Sequence, residues 1–353
     1  MRYTPLVVLP EDGELVADLR DAGVEVIVRR LAVLRRSMLS PTGVAGTVAA
    51  WAADAVALAR LSRARGVALV HSNTSVTLGG APAARLAGIP HVWHVREIYA
   101  DFPHGFPVLR RLLLTAQALP CVSEAVRAQF GASPRAMTLH DGVGSTAGRV
   151  DAAAARAELG LPSDAFVVAV LGRVAAWKGQ DVLLRALAQL PEDAVALVAG
   201  APWPGDEARL RELHELGAAL GVGDRVRFAG LLADPRPAYA AADVVVVPST
   251  LPDPFPNAAL EAAAAGCCVV GADHGGIPEI LRDGSTGVLV APGDPQALAV
   301  ALAALRDAPE RRAALGGAAR RDVATRLSTA RMLSDVQALY DGLWADRSAP
   351  PAA

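Results

Sequence analysis

The stretch FVVAVLGRVAAWKGQDVLLRALAQL, residues 166–190, decides the fold. FVVAVL is a continuous apolar run, which reads as a strand buried on both faces. VLLRALAQL repeats its apolar residues at helical spacing. Between them lies GRVAAWKGQD, residues 172–181. Gly172 lets the backbone turn as the strand ends. Arg173 carries a planar donor fork and Lys178 a mobile point charge. Gln180 and Asp181 open the helix. A strand, a glycine turn and a helix form a unit of a parallel α/β sheet, and two cations at the turn call for an anion.

The same alternation runs outward in both directions. TPLVVLP (4–10), VEVIV (24–28), VALVHSN (67–73) and HVWHVRE (91–97) read as strands of the first half. EDGELVADLRDAG (11–23) reads as a helix closing on Gly23. FVVAVLG, VALVAG, VRFAG, VVVVPS, CCVVGA and GVLVA give the second half six short strands. VDAAAARAELGLPSD (150–164) reads as the crossing between two sheets. The fold class is therefore α/β, with two Rossmann-like doubly wound parallel-sheet domains. The first is expected over 1–148 and the second over 158–325. A helix over 328–346, packing back on the first domain, precedes an SAPPAA tail. Ligands of open α/β sheets bind at the carboxyl ends of the strands, so two facing domains would hold a cleft there.

Composition narrows the function. Of 353 residues 52% are apolar and 20% charged, which suits a well-buried globular chain. A formal net charge of −2 gives no basic footprint for nucleic acid. Cys121, Cys267 and Cys268 form neither a disulfide framework nor a metal spacing, as expected for a reducing cytoplasm. No leader is expected, because the short apolar run after Tyr3 meets Glu11 and Asp12. AGTVAAWAADAVALARL (45–61) carries Asp54 and Arg60 and reads as a packed helix.

Two further strand ends carry chemistry. PSTLPDPFPNAALEAAAAG (248–266) follows VVVV and holds Asp253 and Glu261 with seven residues between them. Its proline-rich part cannot be helical, and Asn257 reads as the N-cap of the next helix with Glu261 one turn in. Carboxylates accept hydrogen bonds, and a sugar offers vicinal hydroxyl donors. GADHGGIPEI (271–280) has Gly275 and Gly276 for close backbone approach, and Pro278 and Glu279 open a helix whose amides could hold a phosphate. Ser123 reads as the cap of a helix beginning with Glu124. His71, His140, His214 and His274 show no metal spacing and read as ordinary polar residues.

The order GRVAAWKGQD, AGLLAD, a loop carboxylate spaced from Glu261, GGIPEIL and DGSTGVLVAPGD resembles the retaining glycosyltransferases of family 4, which have the GT-B fold. HSNTSVTLGG, WHVRE, CVSEAVRAQF and HDGV are similar to weaker landmarks of that family in the first half. The resemblance implies a transferase moving a sugar from a nucleotide-diphosphate sugar to a saccharide or lipid-linked acceptor, in cell-envelope or exopolysaccharide synthesis. By it, Gly172, Arg173 and Lys178 would hold the diphosphate, with Gly275 and Gly276 near the donor. Glu261 would bind the ribose hydroxyls. Asp253 and the backbone of Phe255, Pro256 and Asn257 would grip the sugar. His94 would face the sugar and leaving group, so that His94, Asp253, Arg173 and Lys178 form the catalytic set. No Asp-x-Asp occurs, so neither a metal nor another cofactor is expected.

Two departures from the family stand out. Asp253 stands where a Glu is usual. The family's first strand and glycine-rich loop have no counterpart before TPLVVLP, which implies a truncated first domain. A GT-B nucleotide-sugar epimerase and a non-catalytic GT-B partner protein are the alternatives. VIVRRLAVLRRSML (26–39) and FPVLRRLLLTA (106–116) mix arginine pairs with large apolar residues, as a peripheral contact with anionic membrane would. A packed element with an ordinary solvated face is the other reading of both stretches. The protein is expected in the cytoplasm, with peripheral attachment to the inner membrane face under the first reading.

Overall fold

The computed structural model describes residues 3–33, 41–100, 102–144 and 150–348. The chain divides into two compact units. The first comprises residues 1–122, 126–139 and 334–353, and the second residues 123–125 and 140–333. The domain limit expected at 148 lies outside the described residues, as does the 34–39 part of the first arginine-rich stretch.

The first unit carries β1 (Leu6–Leu9), β2 (Glu25–Val28), β3 (Val70–Ser72), β4 (His91–Trp93), β5 (Leu119–Cys121) and β6 (Ala136–Thr138). They pair in parallel as β1-β2, β3-β4 and β5-β6. Trp93 and Val95 N–H donate to the carbonyls of Ala118 and Pro120 and tie β4 to β5. Pro120 has no N–H to return, so the ladder is interrupted there. Among the described residues no ladder joins β1 to β3. The helix Pro41–Ala64 buries Ala55 and Ala59. Its Asp54 is also buried and accepts from the N–H of Ala32 at 2.7 Å. From Ser334 the final helix, Thr329–Ser348, belongs to this unit. There Tyr340 hydrogen-bonds His71, and Tyr3 donates to Asp341.

The second unit is built on six parallel strands: β7 (Phe166–Leu171), β8 (Ala194–Ala199), β9 (Val226–Gly230), β10 (Val244–Val247), β11 (Cys268–Ala272) and β12 (Val288–Val290). Their order across the sheet is β12-β11-β10-β7-β8-β9. β7 bears its apolar residues on both faces, as its unbroken run implied. Val168 and Val170 pack with Leu183, Leu184 and Leu187 of the helix Gln180–Leu187. Val167 and Ala169 pack on the other face with Ala155, Ala238 and Ala241. Truncating a leucine this buried to alanine costs about 2–5 kcal/mol. The stretch read as a crossing forms the helix Ala152–Glu158, capped by the Asp151 side chain on the N–H of Ala154. It is part of the second face's core, not a bare connection.

Strand order reverses direction between β7 and β10. A sheet of this kind binds its ligands at the carboxyl ends of the strands beside that reversal. The loops after β7 and β10 therefore emerge where a ligand is expected.

Candidate functional site

Those two loops are stitched together. Thr250 N–H donates to the Trp177 carbonyl at 2.8 Å. Gly179 has φ +72, and a Cβ there would lie 1.9 Å from the Pro248 carbonyl oxygen. Only glycine permits this approach, which brings the start of the helix Gln180–Leu187 against the loop after β10. Buried Gln180 holds the turn, donating from Nε2 to the Arg173 carbonyl at 2.8 Å.

Across this junction the Lys178 Nζ meets the Asp253 carboxylate at 2.6 Å. The Asp253 side chain is 6% exposed and that of Lys178 22%. A buried carboxylate needs a partner, and Lys178 supplies one. Each cation also lies on an indole: Lys178 at 4.2 Å from the Trp177 ring, and Arg173 at 4.0 Å from the Trp203 ring. Arg173 is exposed at the end of β7, with its guanidinium steered by the face of Trp203.

Gly275 and Gly276 do allow close approach, but to the protein's own backbone. A Cβ on Gly275 would lie 2.3 Å from the Asp253 carbonyl, and one on Gly276 2.2 Å from that of Pro254. Gly276 N–H donates to the Asp253 carbonyl at 2.8 Å. The glycine pair thus seats the Asp253 loop. Phe255 is buried beneath it and stacks on His140 at 5.2 Å.

The expected cap at Asn257 is corrected. Pro256 occupies the cap position, and Asn257 is the first residue of the helix Asn257–Ala265, exposed and making no cap bond. The fixed φ of proline starts the helix in its place. Glu261 lies on the second turn and accepts from the Tyr239 hydroxyl at 2.8 Å.

The phosphate site expected at Pro278 and Glu279 is corrected too. The helix Ile277–Ile280 is a single turn. The Glu279 carboxylate instead accepts from the N–H groups of Glu124 and Ala125, at 2.7 and 3.0 Å, and meets His140 Nε2 at 2.7 Å. His140, taken as an ordinary polar residue, is thus held between this carboxylate and the Phe255 ring.

His94 belongs to the first unit. It follows β4, is 4% exposed, and has its ring 5.6 Å from that of His71. Burial first, then the charges of His71 and Arg96, hold its pKa down to about 3, against a hydrogen bond to the Leu139 carbonyl. Burial likewise lowers His91 to about 3 and, with Arg96, His71 to about 4. With one ring nitrogen on a carbonyl, neutral His94 leaves Nε2 as a bare acceptor, and that atom has no partner. Nearby, Glu97 accepts from Thr74 and Ser75, fastening the loops after β3 and β4 together.

In the second arginine-rich stretch, the helix Phe106–Leu113 buries Leu109 and Leu113. Arg110 donates to the carbonyls of Gln129 and Phe130. Arg111 and Val108 remain exposed. No helix among the described residues is long and apolar enough to cross a membrane. Nor does any group of three His, Cys, Asp or Glu side chains among them suit a metal ion.

Sequence reasoning missed Tyr239, Trp203, Trp177 and His140. The two tryptophans carried a signal, one beside Lys178 and one in the loop after β8. Tyr239 and His140 carried none, since a lone tyrosine in a helix reads as core and a lone histidine after a strand as an ordinary polar residue.

Parallel strands in both units and a strand-order reversal flanked by charged loops fit the doubly wound α/β class, and solved glycosyltransferases share the whole fold. HepE of Anabaena, in its crystal structure with UDP and glucose, superposes with a TM-score of 0.83 at 26% identity, over 95% of this chain and 91% of that one. Sucrose-phosphate synthase of Thermosynechococcus elongatus, at 23% identity, shares the fold with a TM-score of 0.78 over 97% of this chain and 99% of its own. The family model for glycosyl transferases group 1 matches residues 151–322. A D-inositol 3-phosphate glycosyltransferase of Catenulispora acidiphila is 38% identical over 272 residues, 71% of this chain and 60% of that protein. The namesake from Thermomonospora curvata is 42% identical over 180 residues, 48% of this chain and 42% of its own length. The chain thus spans less than two thirds of these relatives. Over residues 151–322 the chain is similar to the glycosyl transferases of group 1, and over nearly its whole length it shares the fold of solved glycosyltransferases.

Proposed function

We propose that this protein transfers a sugar from a nucleotide-diphosphate sugar to a hydroxyl acceptor, with retention at the anomeric carbon and without a metal ion. The observation that carries the reading is the Lys178–Asp253 pair at 2.6 Å across the β7/β10 reversal, with Arg173 exposed beside it. Breaking the bond between the anomeric carbon and the phosphate oxygen leaves negative charge on the diphosphate. Fixed cations aimed at that charge lower the barrier, and one such donor is worth about 2.7–4 kcal/mol. In this reading Arg173 and Lys178 supply the positive charge that a divalent ion supplies elsewhere. Asp253 orients Lys178 and bounds the sugar, with the backbone of Phe255, Pro256 and Asn257. Glu261 accepts from the ribose hydroxyls. His94 Nε2 accepts from a sugar hydroxyl. The acceptor hydroxyl bonds to the anomeric carbon, and its proton passes to the leaving phosphate oxygen.

HepE is bound to UDP-glucose in a further crystal structure. We take a UDP-hexose as the first donor to test. The acceptor is a polyhydroxylic molecule. The sequence points to a saccharide or lipid-linked glycan of the cell envelope, the relatives' names to an inositol phosphate.

The test is calorimetric titration with UDP, GDP and ADP in EDTA, followed by turnover with the sugar nucleotide of whichever binds. Both acceptor classes are offered, and the product's anomeric configuration is read by NMR. Binding in EDTA that is lost in Arg173→Ala, with retained configuration, is the expected result. Binding of none of the three, or binding indifferent to Arg173→Ala, overturns the donor site. An inverted product overturns the mechanism alone.

A further inference from the structure

We infer that Tyr239 is a positioning residue for the donor: its hydroxyl fixes the Glu261 carboxylate in the orientation that meets the ribose diol. The inference rests on the donor reading above and adds to it a residue outside the motifs.

Tyr239 lies on the helix Arg236–Ala241, which leads into β10, and Glu261 on the helix that follows β10. The phenol is 5% exposed and donates to Glu261 Oε2 at 2.8 Å. The phenol O–H is the donor and the carboxylate oxygen the acceptor. Burial first, and then the charge of Glu261, raise the Tyr239 pKa, so the phenol stays a donor wherever the protein is folded. Its main chain is pinned as well: the Cys267 thiol donates to the Tyr239 carbonyl at 3.4 Å. That thiol is itself pushed up to about 12 by burial and stays protonated.

Glu261 is half-buried, and no cation among the described residues pairs with it. A glutamate kept for structure would be expected to meet an Arg or Lys here, as Asp243 meets Arg156 and Arg312. Glu261 instead has one oxygen held by a neutral donor and the other open. A carboxylate fixed at one oxygen loses its rotamer freedom before the ligand arrives. It then presents acceptor lone pairs at a set angle, which two vicinal hydroxyls satisfy together.

The test is binding of UDP and of 2′,3′-dideoxy-UDP by calorimetry to the wild-type chain, Tyr239→Phe, Glu261→Gln and the double variant. The wild type is expected to prefer UDP. Tyr239→Phe is expected to lose about tenfold on UDP and nothing on the dideoxy nucleotide, since the carboxylate then loses the hydrogen bond that orients it and part of that loss is recovered from water. In the Glu261→Gln background, Tyr239→Phe should cost nothing further. Equal loss on both nucleotides would make Tyr239 merely structural and overturn the inference. So would full discrimination retained by Tyr239→Phe while Glu261→Gln loses it, and in that case the ribose role of Glu261 stands. A wild type that does not discriminate, or does not bind UDP, removes both. Thermal midpoints of the four proteins separate loss of fold from loss of contact.

Discussion

The second unit and the first are built on opposite principles. In the second, six strands form one ladder, and several charged groups are paired: Lys178 with Asp253, Asp243 with Arg156 and Arg312, Glu279 with His140. In the first, three short ladders carry buried imidazoles that leave Nε2 of His71, Nδ1 of His91 and Nε2 of His94 without partners. Ion pairs occur in both units, as Arg65 with Glu25 shows in the first. What sets the first apart is desolvation, which keeps its buried histidines neutral. The proposed function uses that difference: paired charges for an anion, a neutral imidazole for a hydroxyl.

The sharpest way to break this comparison is to remove one partner of the paired site. Lys178→Ala leaves the Asp253 carboxylate buried and alone. Turnover should fall about 10²–10³-fold if Lys178 stabilises the leaving group. Breaking a buried pair should also cost about 3–5 kcal/mol of stability, read by urea denaturation. Asp253→Glu keeps the charge and adds one methylene, so it should retain far more of both. Turnover of Lys178→Ala within twofold of wild type would end the leaving-group role.

Acid should act on the other unit. His71, His91 and His94 have folded pKa values of about 4, 3 and 3, below the unfolded value of about 6.5. The unfolded chain therefore binds more protons between these limits. Their stabilising effect is complete above pH 6.5 and is lost as pH falls from 6.5 toward 3–4. By pH 5 each should cost about 2 kcal/mol. Urea midpoints at pH 5.0 and 7.5 measure the sum, and replacing His91 by Asn should flatten the difference. A midpoint independent of pH over that range would show these imidazoles to be solvated.

Much of the second unit is legible in the sequence because its signals are local. FVVAVL must be a strand buried on both faces, and the glycine of WKG must turn. The first unit's signals are weaker, because three-residue strands give no period to read. At the site, Arg173, Lys178, Asp253 and Glu261 stand out as charges at strand ends. What they touch does not, because contact is a property of packing. The spacing of Lys178 and Asp253, 75 residues apart, says nothing of a 2.6 Å pair. The two glycines after β11 show the limit in reverse. Sequence gives their permissiveness, and only the structure shows that the backbone they admit belongs to Asp253 and Pro254. Asn257 outranks proline as a cap by propensity, yet Pro256 sets the helix start through its fixed φ.

The smallest effect tests whether the two units are independent in energy. Tyr340 on the final helix bonds His71 Nδ1, and its ring meets that of Tyr3 edge-on at 5.3 Å. Burial pushes the Tyr340 pKa up to about 12, so its phenol remains neutral at any working pH. Tyr340→Phe keeps the ring contact and removes only the hydroxyl. The loss should be about 1 kcal/mol, the net worth of one neutral hydrogen bond, read as a small fall in urea midpoint. UDP affinity should not change, because the residues proposed to hold the nucleotide, Arg173, Lys178 and Glu261, all lie in the second unit. If Tyr340→Phe weakened UDP binding severalfold, the assignment of nucleotide binding to the second unit would fail.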